Sequence, residues 1–261
     1  MADYEQFIAK VYDKTGIDLQ LYKEQQMRRR LTSLRNKRGY TTFSQYFDAM
    51  VKNETLMEEF MDRMTINVTE FYRNPRRWNV LQEKVIPKLT EGKRQMKIWS
   101  AACSTGEEPY SLAIMLKEYF PQLRVTILAT DLDDEALKRA KEAKYAAVAL
   151  KELPNELIKK YFTYKNNVYE LNHDIKSMVT FKKHNLLHDT YPANNDLIVC
   201  RNVVIYFTDE AKAQVYKNFS EALVSNGVLF VGSTEQIFQP STYGFKIYDT
   251  FFYEKRSSFT T

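Results

Sequence analysis

The sequence predicts an α/β protein with a mostly parallel sheet, preceded by a small all-α domain. Two observations lead to this fold class. From Met96 onward, short apolar runs that are typical of buried strands alternate with helical patterns, whereas residues 1–66 show only helical spacing. The region from Met96 to Asp131 also has the strand, tight turn, helix and strand order of half a nucleotide-binding unit, which makes the sheet Rossmann-like.

Residues 1–66 predict a bundle of helices. Gly16 and Gly39 end the first two, and Thr42 with Gln45 forms a capping-box pattern at the start of the third. Apolar residues recur at helical spacing in four segments: Asp3–Lys14, Leu21–Lys37, Thr42–Val51 and Leu56–Met64.

The second predicted helix is strongly basic, with seven basic residues and one acidic residue between Gln20 and Tyr40. The whole chain carries a net charge of only +5, so the excess is local. Such an excess favours a docking face for an acidic partner over general affinity for nucleic acids. A solvated helix face is the alternative. The candidate docking residues are Arg28, Arg30, Arg35 and Arg38.

Residues 67–75 link the bundle to the next domain. Asn74-Pro75 predicts a helix start, and that helix continues through Trp78 toward Leu89. By composition alone, Asn67, Thr69 and Arg73 could be only linker and cap residues.

The next unit organises the rest of the chain. Met96–Ala101 predicts a buried strand, a turn of small and polar residues follows, and Pro109 opens a helix that runs to Phe120. Val125–Thr130 is a second β-rich run that ends at Asp131. Gly106 fits a turn that brings backbone close to a ligand, because it lacks a Cβ.

The residues of this unit favour a cationic adenosyl ligand. An acidic residue about 20 or more positions past the turn, such as Asp131, can accept hydrogen bonds from ribose hydroxyls. The turn has a single glycine and places Glu107 and Glu108 where a diphosphate would need neutral or basic neighbours. S-adenosylmethionine, with its sulfonium and ammonium charges, suits such an acidic turn.

Residues 145–179 predict a small β insertion. Pro154 opens a short helix, and Asn166 and Asn167 stand in a tight hairpin between Tyr161–Tyr164 and Val168–Leu171. The alternation then resumes, and the closing β pair suggests a reversed edge strand. The remaining predicted elements are strands at Met178–Lys182 and Asp196–Cys200, a helix at Asp209–Val224, and the pair Val228–Gly232 with Phe245–Tyr253.

Composition excludes several classes of protein. No apolar run reaches the roughly 18 residues of a membrane span, and the N-terminus lacks a leader pattern, so we expect a cytoplasmic protein. Cys103 and Cys200 are expected to be buried thiols without a disulfide. The three histidines lie in or beside connecting segments, so no metal is assigned.

With these elements placed, the sequence resembles the chemotaxis receptor glutamate methyltransferases, the CheR family, along nearly its whole length. The resemblance rests on several segments in the same order, which is far more specific than any single one. They are Thr65–Arg73, Trp99–Ser111, Ala129–Asp133, Asn185–Leu187 and Cys200–Phe207.

The resemblance implies a domain plan and a function. It implies an N-terminal helical domain that docks receptors (residues 1–66), a linker that contributes to the cofactor site (67–75), and a methyltransferase domain (76–261) with the β insertion at 145–179. It also implies S-adenosylmethionine as cofactor, S-adenosylhomocysteine as product, and glutamate methyl esters on the cytoplasmic coiled-coil helices of chemoreceptors for sensory adaptation. Recruitment to membrane receptor arrays would then go through the receptors.

The same resemblance implies roles for individual residues. Arg73 and Tyr206 are the catalytic candidates. Glu107 would meet the methionine end of the cofactor, Asp131 the ribose, and Asn185 with Leu186 the adenine. The cofactor-binding set is Asn67, Thr69, Arg73, Glu107, Asp131, Asn185, Leu186, Arg201 and Asn202.

One segment departs from the family pattern. Members that dock a C-terminal receptor pentapeptide have a longer, glycine-containing hairpin loop, whereas Tyr164–Val168 is short and lacks glycine. The sequence therefore argues against a pentapeptide tether. We expect a monomer that finds receptors through its basic helix and through the hairpin acting in another way, without nucleic acid and without membrane insertion.

Two rival functions stay open at this point. A nucleic-acid methyltransferase could use the basic helix on phosphates, but no Asn/Asp-Pro-Pro-aromatic motif follows Asp196–Cys200. A non-catalytic regulator could bind S-adenosylmethionine and move a partner, although the presence of both Arg73 and Tyr206 argues against it. A dehydrogenase is disfavoured by the single glycine of the turn.

Overall fold

A computed structural model describes residues 2–65 and 69–257, which divide into two compact units. Within the described residues, the first unit holds residues 2–65 and Val204–Gln214. The second unit holds residues 69–203 and 215–257. Asn67, one of the predicted cofactor residues, lies outside the described residues.

The N-terminal unit has the four helices that the sequence predicts. The second begins at Glu24 instead of Leu21, because a separate 3₁₀ turn occupies Leu19–Leu21. The predicted cap of the third is confirmed, since the Thr42 side chain accepts a hydrogen bond from the Gln45 N–H. The helices are α1 (Ala2–Thr15), α2 (Glu24–Lys37), α3 (Phe43–Lys52) and α4 (Glu54–Met64).

Aromatic packing holds these helices together. The ring of Phe7 on α1 lies 4.9 Å from that of Phe43 and 6.0 Å from that of Phe60, between ring centroids. The Asp3 carboxylate accepts hydrogen bonds from the N–H groups of Phe43 and Ser44, at 2.7 and 3.0 Å. α1 therefore both buries its apolar face and caps the start of α3.

A later segment of the chain returns to this unit. The Lys23 N–H donates to the Tyr206 carbonyl and the Thr208 N–H to the Leu21 carbonyl, each at 2.9 Å. Tyr22 and Phe207 form an antiparallel bridge between these donors. This grouping differs from the predicted domain plan, which gave all of residues 76–261 to one domain. Backbone pairing between segments so far apart in sequence leaves no local pattern.

The second unit contains a seven-stranded sheet in the order β6-β2-β1-β7-β8-β10-β9. The first five strands in that order are parallel, and β10 is antiparallel to both of its neighbours. The predicted parallel sheet with a reversed strand is confirmed, although the closing run forms two strands. The sheet strands are β1 (Gln95–Ala101), β2 (Arg124–Asp131), β6 (Val179–Lys183), β7 (Asn195–Cys200), β8 (Leu223–Val231), β9 (Phe245–Asp249) and β10 (Phe252–Lys255).

Three helices after the linker differ from the sequence prediction. The helix after the linker contains a π turn at Leu81–Val85, before Pro87, whose missing N–H cannot continue the regular ladder. The helix of the central unit begins at Glu107, ahead of Pro109, because Gly106 is its N-cap. The last helix ends at Ala222. The helices are α5 (Pro75–Val80), α6 (Ile86–Thr90), α7 (Glu107–Tyr119), α8 (Asp134–Glu142), α9 (Asn155–Tyr161), α10 (His173–Lys176) and α11 (Asp209–Ala222).

The predicted β insertion is a three-stranded antiparallel sheet in the order β3-β5-β4. Asn166 and Asn167 both have positive φ, 52° and 60°, which confirms the predicted tight hairpin. The strands are β3 (Lys144–Tyr145), β4 (Phe162–Lys165) and β5 (Val168–Leu171). The sequence missed β3, because two residues are too few to show an alternating pattern.

The central strands of the large sheet are buried on both faces. All six residues of β7 are buried, and so are Ile98 and Trp99 of β1. Near-continuous apolar runs are what such doubly covered strands require. Across residues 2–65 and 69–257, no helix combines the length and the apolar character needed to cross a bilayer.

Candidate functional site

The candidate site lies in the second unit, at the carboxyl ends of the parallel strands. The chain moves from β1 to β2 on one side of the sheet and later adds β7 on the other side of β1. Such a reversal opens a crevice above the strand ends, which is where open α/β sheets bind ligands. The loops after β1, β2, β6 and β7 carry most of the predicted cofactor residues.

The turn after β1 is unusually bent. Ala102, Ser104 and Gly106 all have positive φ, at 60°, 50° and 93°. A Cβ at Gly106 would lie 3.0 Å from the Ala140 Cβ and 3.2 Å from the Tyr145 hydroxyl. The glycine is therefore needed for its backbone conformation and for close packing against α8 and β3. The expectation that it also lets backbone approach a ligand stays a prediction.

Asp131 ties this turn to the end of β2. Its Oδ2 accepts a hydrogen bond from the Ser104 N–H at 2.7 Å, and its Oδ1 from the Asp133 N–H at 3.0 Å. Burial raises the pKa of Asp131 to about 6, although these backbone donors oppose the rise. A carboxylate can accept about four hydrogen bonds, so acceptor sites remain for ribose hydroxyls.

Glu107 and Glu108 occupy the first turn of α7, where the helix dipole favours negative charge. The Thr105 hydroxyl donates to Glu107 at 2.7 Å, and the Ser100 hydroxyl donates to Glu108 at 2.8 Å. Burial raises the pKa of each carboxyl to about 7, and in Glu108 the guanidinium of Arg201 opposes that rise. Both groups therefore titrate close to neutral pH.

This donor set fits the predicted cofactor. Burial is the largest cause of the raised pKa of both Glu107 and Asp131. Buried carboxyls are unfavourable as ions, and a cationic ligand would relieve that cost. S-adenosylmethionine brings an ammonium and a sulfonium, so the residues present suit it.

Arg201 follows β7 and contacts the linker residue Arg73. Its Nη2 donates to the Arg73 main-chain oxygen at 2.7 Å and to Asn74 Oδ1 at 2.9 Å. The Trp78 indole N–H donates to the same Arg73 oxygen at 3.0 Å. The Arg201 guanidinium is 4.8 Å from the centre of the Phe230 ring, and burial lowers its pKa. Arg201 therefore anchors the backbone at Arg73.

Asn202 has a left-handed backbone, with φ at 63°, and its Oδ1 is a buried atom without a hydrogen-bond partner among the described residues. Its N–H donates to the carboxylate of Glu235, a residue that the sequence analysis missed. An acidic residue three positions after Gly232 is too weak a pattern to have identified it.

The remaining predicted cofactor residues lie in two other segments. Asn185 follows β6, where its Oδ1 accepts the Leu187 N–H at 2.9 Å and its own N–H donates to Asp189 at 2.8 Å. Leu186 is buried, and its carbonyl accepts a hydrogen bond from the Tyr191 hydroxyl. Thr69 is partly buried in the linker. Their roles toward a cofactor stay predictions.

The four predicted docking arginines have different surroundings in the N-terminal unit. Arg38 pairs with Glu59 at 2.6 Å, Arg35 stacks on the Phe43 ring at 4.6 Å, and Arg28 stacks on the Tyr4 ring at 5.0 Å. Arg30 donates to the main-chain oxygens of Arg63 and Met64, each at 3.4 Å. Its guanidinium also lies 5.4 Å from the centre of the Tyr206 ring, the second catalytic candidate.

Arg30 is also the only one of these four among the residues that line a surface groove of about 540 Å³ in this unit. Three of the other lining residues are basic, and the sequence analysis did not select them. The groove is lined by Gln26, Arg29, Arg30, Ser33, Leu34, Lys37 and Arg63. Arg30 and Lys37 are seven positions apart on α2, a helical spacing that could have identified this face.

No group of three or more histidine, cysteine or acidic residues suited to a metal is found in residues 2–65 and 69–257. His184 packs against the Trp99 ring at 5.4 Å, and burial lowers its pKa. Cys103 and Cys200 are free and buried, and burial raises the pKa of both thiols.

Comparison with known proteins gives matches along nearly the whole chain. A family model described as "CheR methyltransferase, all-alpha domain" matches residues 2–65, and one described as "CheR methyltransferase, SAM binding domain" matches residues 67–251. A chemotaxis protein methyltransferase of Listeria innocua is 44% identical over 254 residues, which cover 97% of each chain. One from Borreliella burgdorferi is 34% identical, covering 90% of this chain and 88% of the relative.

Solved structures give weaker matches. An S-adenosylmethionine-dependent methyltransferase from Mesorhizobium loti is 17% identical, with a TM-score of 0.33 over 56% of this chain and 51% of that chain. A similarity this low carries no argument about the site.

Proposed function

This chain belongs to the CheR methyltransferase family, and from that premise we propose that it methylates glutamate carboxylates of chemoreceptors. It is an S-adenosylmethionine-dependent methyltransferase of chemotaxis. The products would be glutamate methyl esters and S-adenosylhomocysteine. The observation that carries the proposal is the pair of buried carboxyls, Glu107 and Asp131, at the carboxyl ends of the parallel strands of a family-matched domain.

The proposed reaction needs no general base. A glutamate side chain has a pKa of about 4.3, so the acceptor is already an anion at neutral pH. The cofactor supplies a methyl group on a positively charged sulfur. The protein has to hold the carboxylate oxygen in line with the methyl–sulfur bond and exclude water from both charges.

We propose Arg73 as the residue that holds the acceptor carboxylate. A guanidinium presents a fork of N–H donors that matches a carboxylate. The contacts from Arg201 and Trp78 to the Arg73 main-chain oxygen fix the point from which its side chain extends. A lasting contact would weaken the nucleophile, so the proposed contact is transient. Tyr206 is the second proposed catalytic residue, through its hydroxyl.

We propose the basic groove of the N-terminal unit as the receptor-docking surface. The cytoplasmic helices of a chemoreceptor would bring acidic residues to Arg29, Arg30, Lys37 and Arg63. The hairpin between β4 and β5 is short, with only Asn166 and Asn167 at its turn, so the proposal includes no pentapeptide tether. The protein would act as a monomer in the cytoplasm, recruited to receptor arrays through the receptors themselves.

One assay tests the proposed function directly. The protein is incubated with S-adenosylmethionine labelled in its methyl group and with receptor cytoplasmic fragments, and base-labile methyl esters are counted. We expect labelled esters on glutamates of the fragments. Binding of the cofactor without transfer would instead indicate a regulator. Transfer to RNA that falls with added salt would indicate a nucleic-acid methyltransferase.

A further inference from the structure

A buried carboxylate lies beyond the ends of β7 and β8 and has no role in the assignments above. Glu235 is 3% exposed. Its Oε2 accepts hydrogen bonds from the N–H groups of Gly232 and Asn202, at 2.7 and 2.5 Å, and its Oε1 from the Val203 N–H at 2.6 Å. Gly232 belongs to the loop of Glu235 itself, whereas Asn202 and Val203 belong to the loop after β7. One side chain therefore joins two loops at the site edge of the sheet.

The junction is tightly packed. A Cβ at Gly232 would lie 2.5 Å from Glu235 Oε2 and 2.8 Å from the Asn202 nitrogen, so only glycine fits there. Asn202 has φ at 63°, in the left-handed region that asparagine adopts more readily than most residues. The Glu235 carboxylate holds this turn through the consecutive N–H groups of Asn202 and Val203.

The held loop leads to the linker. Arg201 immediately precedes Asn202, and its guanidinium contacts Arg73 and Asn74, as described above. Charge supports the same arrangement, because Glu235 and Glu108 both favour the charged form of the buried Arg201. The position of the Arg73 backbone thus depends on its hydrogen bond from Arg201. The position of the Arg201 backbone in turn depends on the loop that Glu235 holds.

We propose that Glu235 is a positioning residue for the cofactor pocket. It fixes the corner formed by Arg201 and Asn202, and through the Arg201 guanidinium it fixes the backbone of Arg73. The inference deepens the proposed function and rests on it, since Arg201 and Asn202 belong to the expected cofactor-binding set and Arg73 is proposed to hold the acceptor carboxylate. A carboxylate suits this role because both of its oxygens only accept hydrogen bonds, whereas an amide would turn an NH₂ group toward one of the three donors.

The test measures binding of S-adenosylhomocysteine to the full-length protein by calorimetry. We expect Glu235→Gln to raise the dissociation constant about tenfold, which corresponds to about 1.4 kcal/mol. The matched control is Glu254→Gln. Glu254 lies on β10 and is also a buried carboxylate, 5% exposed. It pairs with Lys88 at 2.9 Å and with Lys246 at 3.3 Å. Its replacement should lower the melting temperature and leave the dissociation constant within about twofold.

A double-mutant cycle separates positioning from general destabilisation. Arg201→Lys keeps the charge and removes the planar fork that reaches Arg73 and Asn74. If Glu235 acts through Arg201, the dissociation constant of S-adenosylhomocysteine for the double variant Glu235→Gln with Arg201→Lys should be at most about threefold higher than that of the weaker-binding single variant. If the fold-increases of the two single variants instead multiply in the double variant, Glu235 does not act through Arg201.

Two other results would overturn the assignment of Glu235 itself. One is an unchanged dissociation constant in Glu235→Gln, and the other is an equal loss in Glu254→Gln. If Glu235→Gln does not fold, Glu235→Asp, which keeps the charge and loses one methylene, is compared with Glu254→Gln in its place. Because binding is measured without methyl transfer, a protein that binds S-adenosylhomocysteine but esterifies no receptor would contradict only the proposed function.

Discussion

Arg201 donates a hydrogen bond to the main-chain oxygen of Arg73 at 2.7 Å. The two residues are far apart in sequence, and Arg73 disfavours the charged form of its neighbour. The buried cation is stabilised by Glu108 and by the face of the Phe230 ring. The contact goes to the backbone of Arg73, which makes Arg201 a support for the linker and separates its role from that of the Arg73 side chain.

Arg73→Ala should lower the turnover number far more than it lowers cofactor affinity. If Arg73 orients the acceptor carboxylate, its loss should cost about 100-fold in kcat and leave the dissociation constant of S-adenosylmethionine within a few-fold. Receptor methylation kinetics and calorimetry measure the two quantities. The control is Arg76→Ala, an exposed arginine on α5. Equal losses in both quantities would reassign Arg73 to cofactor binding.

Asp131→Ala should weaken cofactor binding. Charge-assisted hydrogen bonds are worth roughly 1.5–3 kcal/mol, which corresponds to about 10- to 150-fold in affinity. The variant also frees the Ser104 and Asp133 N–H groups, so the turn after β1 should loosen as well. Calorimetry measures the effect, with the exposed Asp134→Ala as control. An unchanged dissociation constant would remove Asp131 from the ribose site.

Cofactor binding should strengthen as the pH rises from about 5.5 to about 7.5. Burial raises the pKa of Glu107 and Glu108 to about 7 and of Asp131 to about 6, and only the ionised carboxyls attract a cation. Each proton lost on binding changes affinity by up to about tenfold per pH unit. Calorimetry with S-adenosylmethionine, in the absence of an acceptor, measures the slope across this range. Glu107→Gln should flatten it, and an equally steep slope in that variant would exclude Glu107 as a source.

The same buried carboxyls should make the free energy of unfolding fall as the pH rises. Their pKa values are higher in the folded protein than their ordinary values of 4.5 for Glu and 3.8 for Asp. Their contribution to stability is therefore fully present below pH 3.8 to 4.5, and is lost as the pH rises through about 6 to 7. The free energy of unfolding of Glu107→Gln should fall less over that range than that of the unchanged protein. Denaturant unfolding at several pH values tests this.

Substitutions in the basic groove should weaken docking to receptors. Arg29→Ala and Arg63→Ala should each raise the KM for receptor fragments by about two- to fivefold, more at low salt, and leave cofactor affinity unchanged. Arg35→Ala is the control, because Arg35 stacks on Phe43 and does not line the groove. A larger increase for Arg35→Ala would support the docking face that the sequence alone suggested.

Gly106→Ala should destabilise the protein more than Gly92→Ala. Both glycines have positive φ, 93° and 69°, so each substitution costs about 1 kcal/mol or more in backbone strain. Only at Gly106 would the new methyl group meet neighbours, Ala140 at 3.0 Å and Tyr145 at 3.2 Å. Denaturant unfolding compares the two variants. Equal losses would mean that packing against α8 adds nothing.

Local patterns in the sequence were enough to predict most of the fold. The Thr42 cap, the hairpin at Asn166 and Asn167, and the alternation of strands and helices all depend on hydrogen bonds and burial within a few residues. Errors fell at helix ends and at the very short β3, where too few residues carry the pattern. Four of the five family segments include residues at or just after the carboxyl ends of the parallel strands, where the candidate site lies.

The sequence by itself determined that this protein has an all-α part, a parallel sheet and an acidic turn suited to a cationic adenosyl cofactor. Only the tertiary structure decided that Glu235 joins two loops, that Arg201 supports Arg73, and that Gly106 serves packing against Ala140. The physical reason is distance along the chain. Periodicity records which face of an element is buried, whereas a contact between distant loops exists only after the sheet has brought them together.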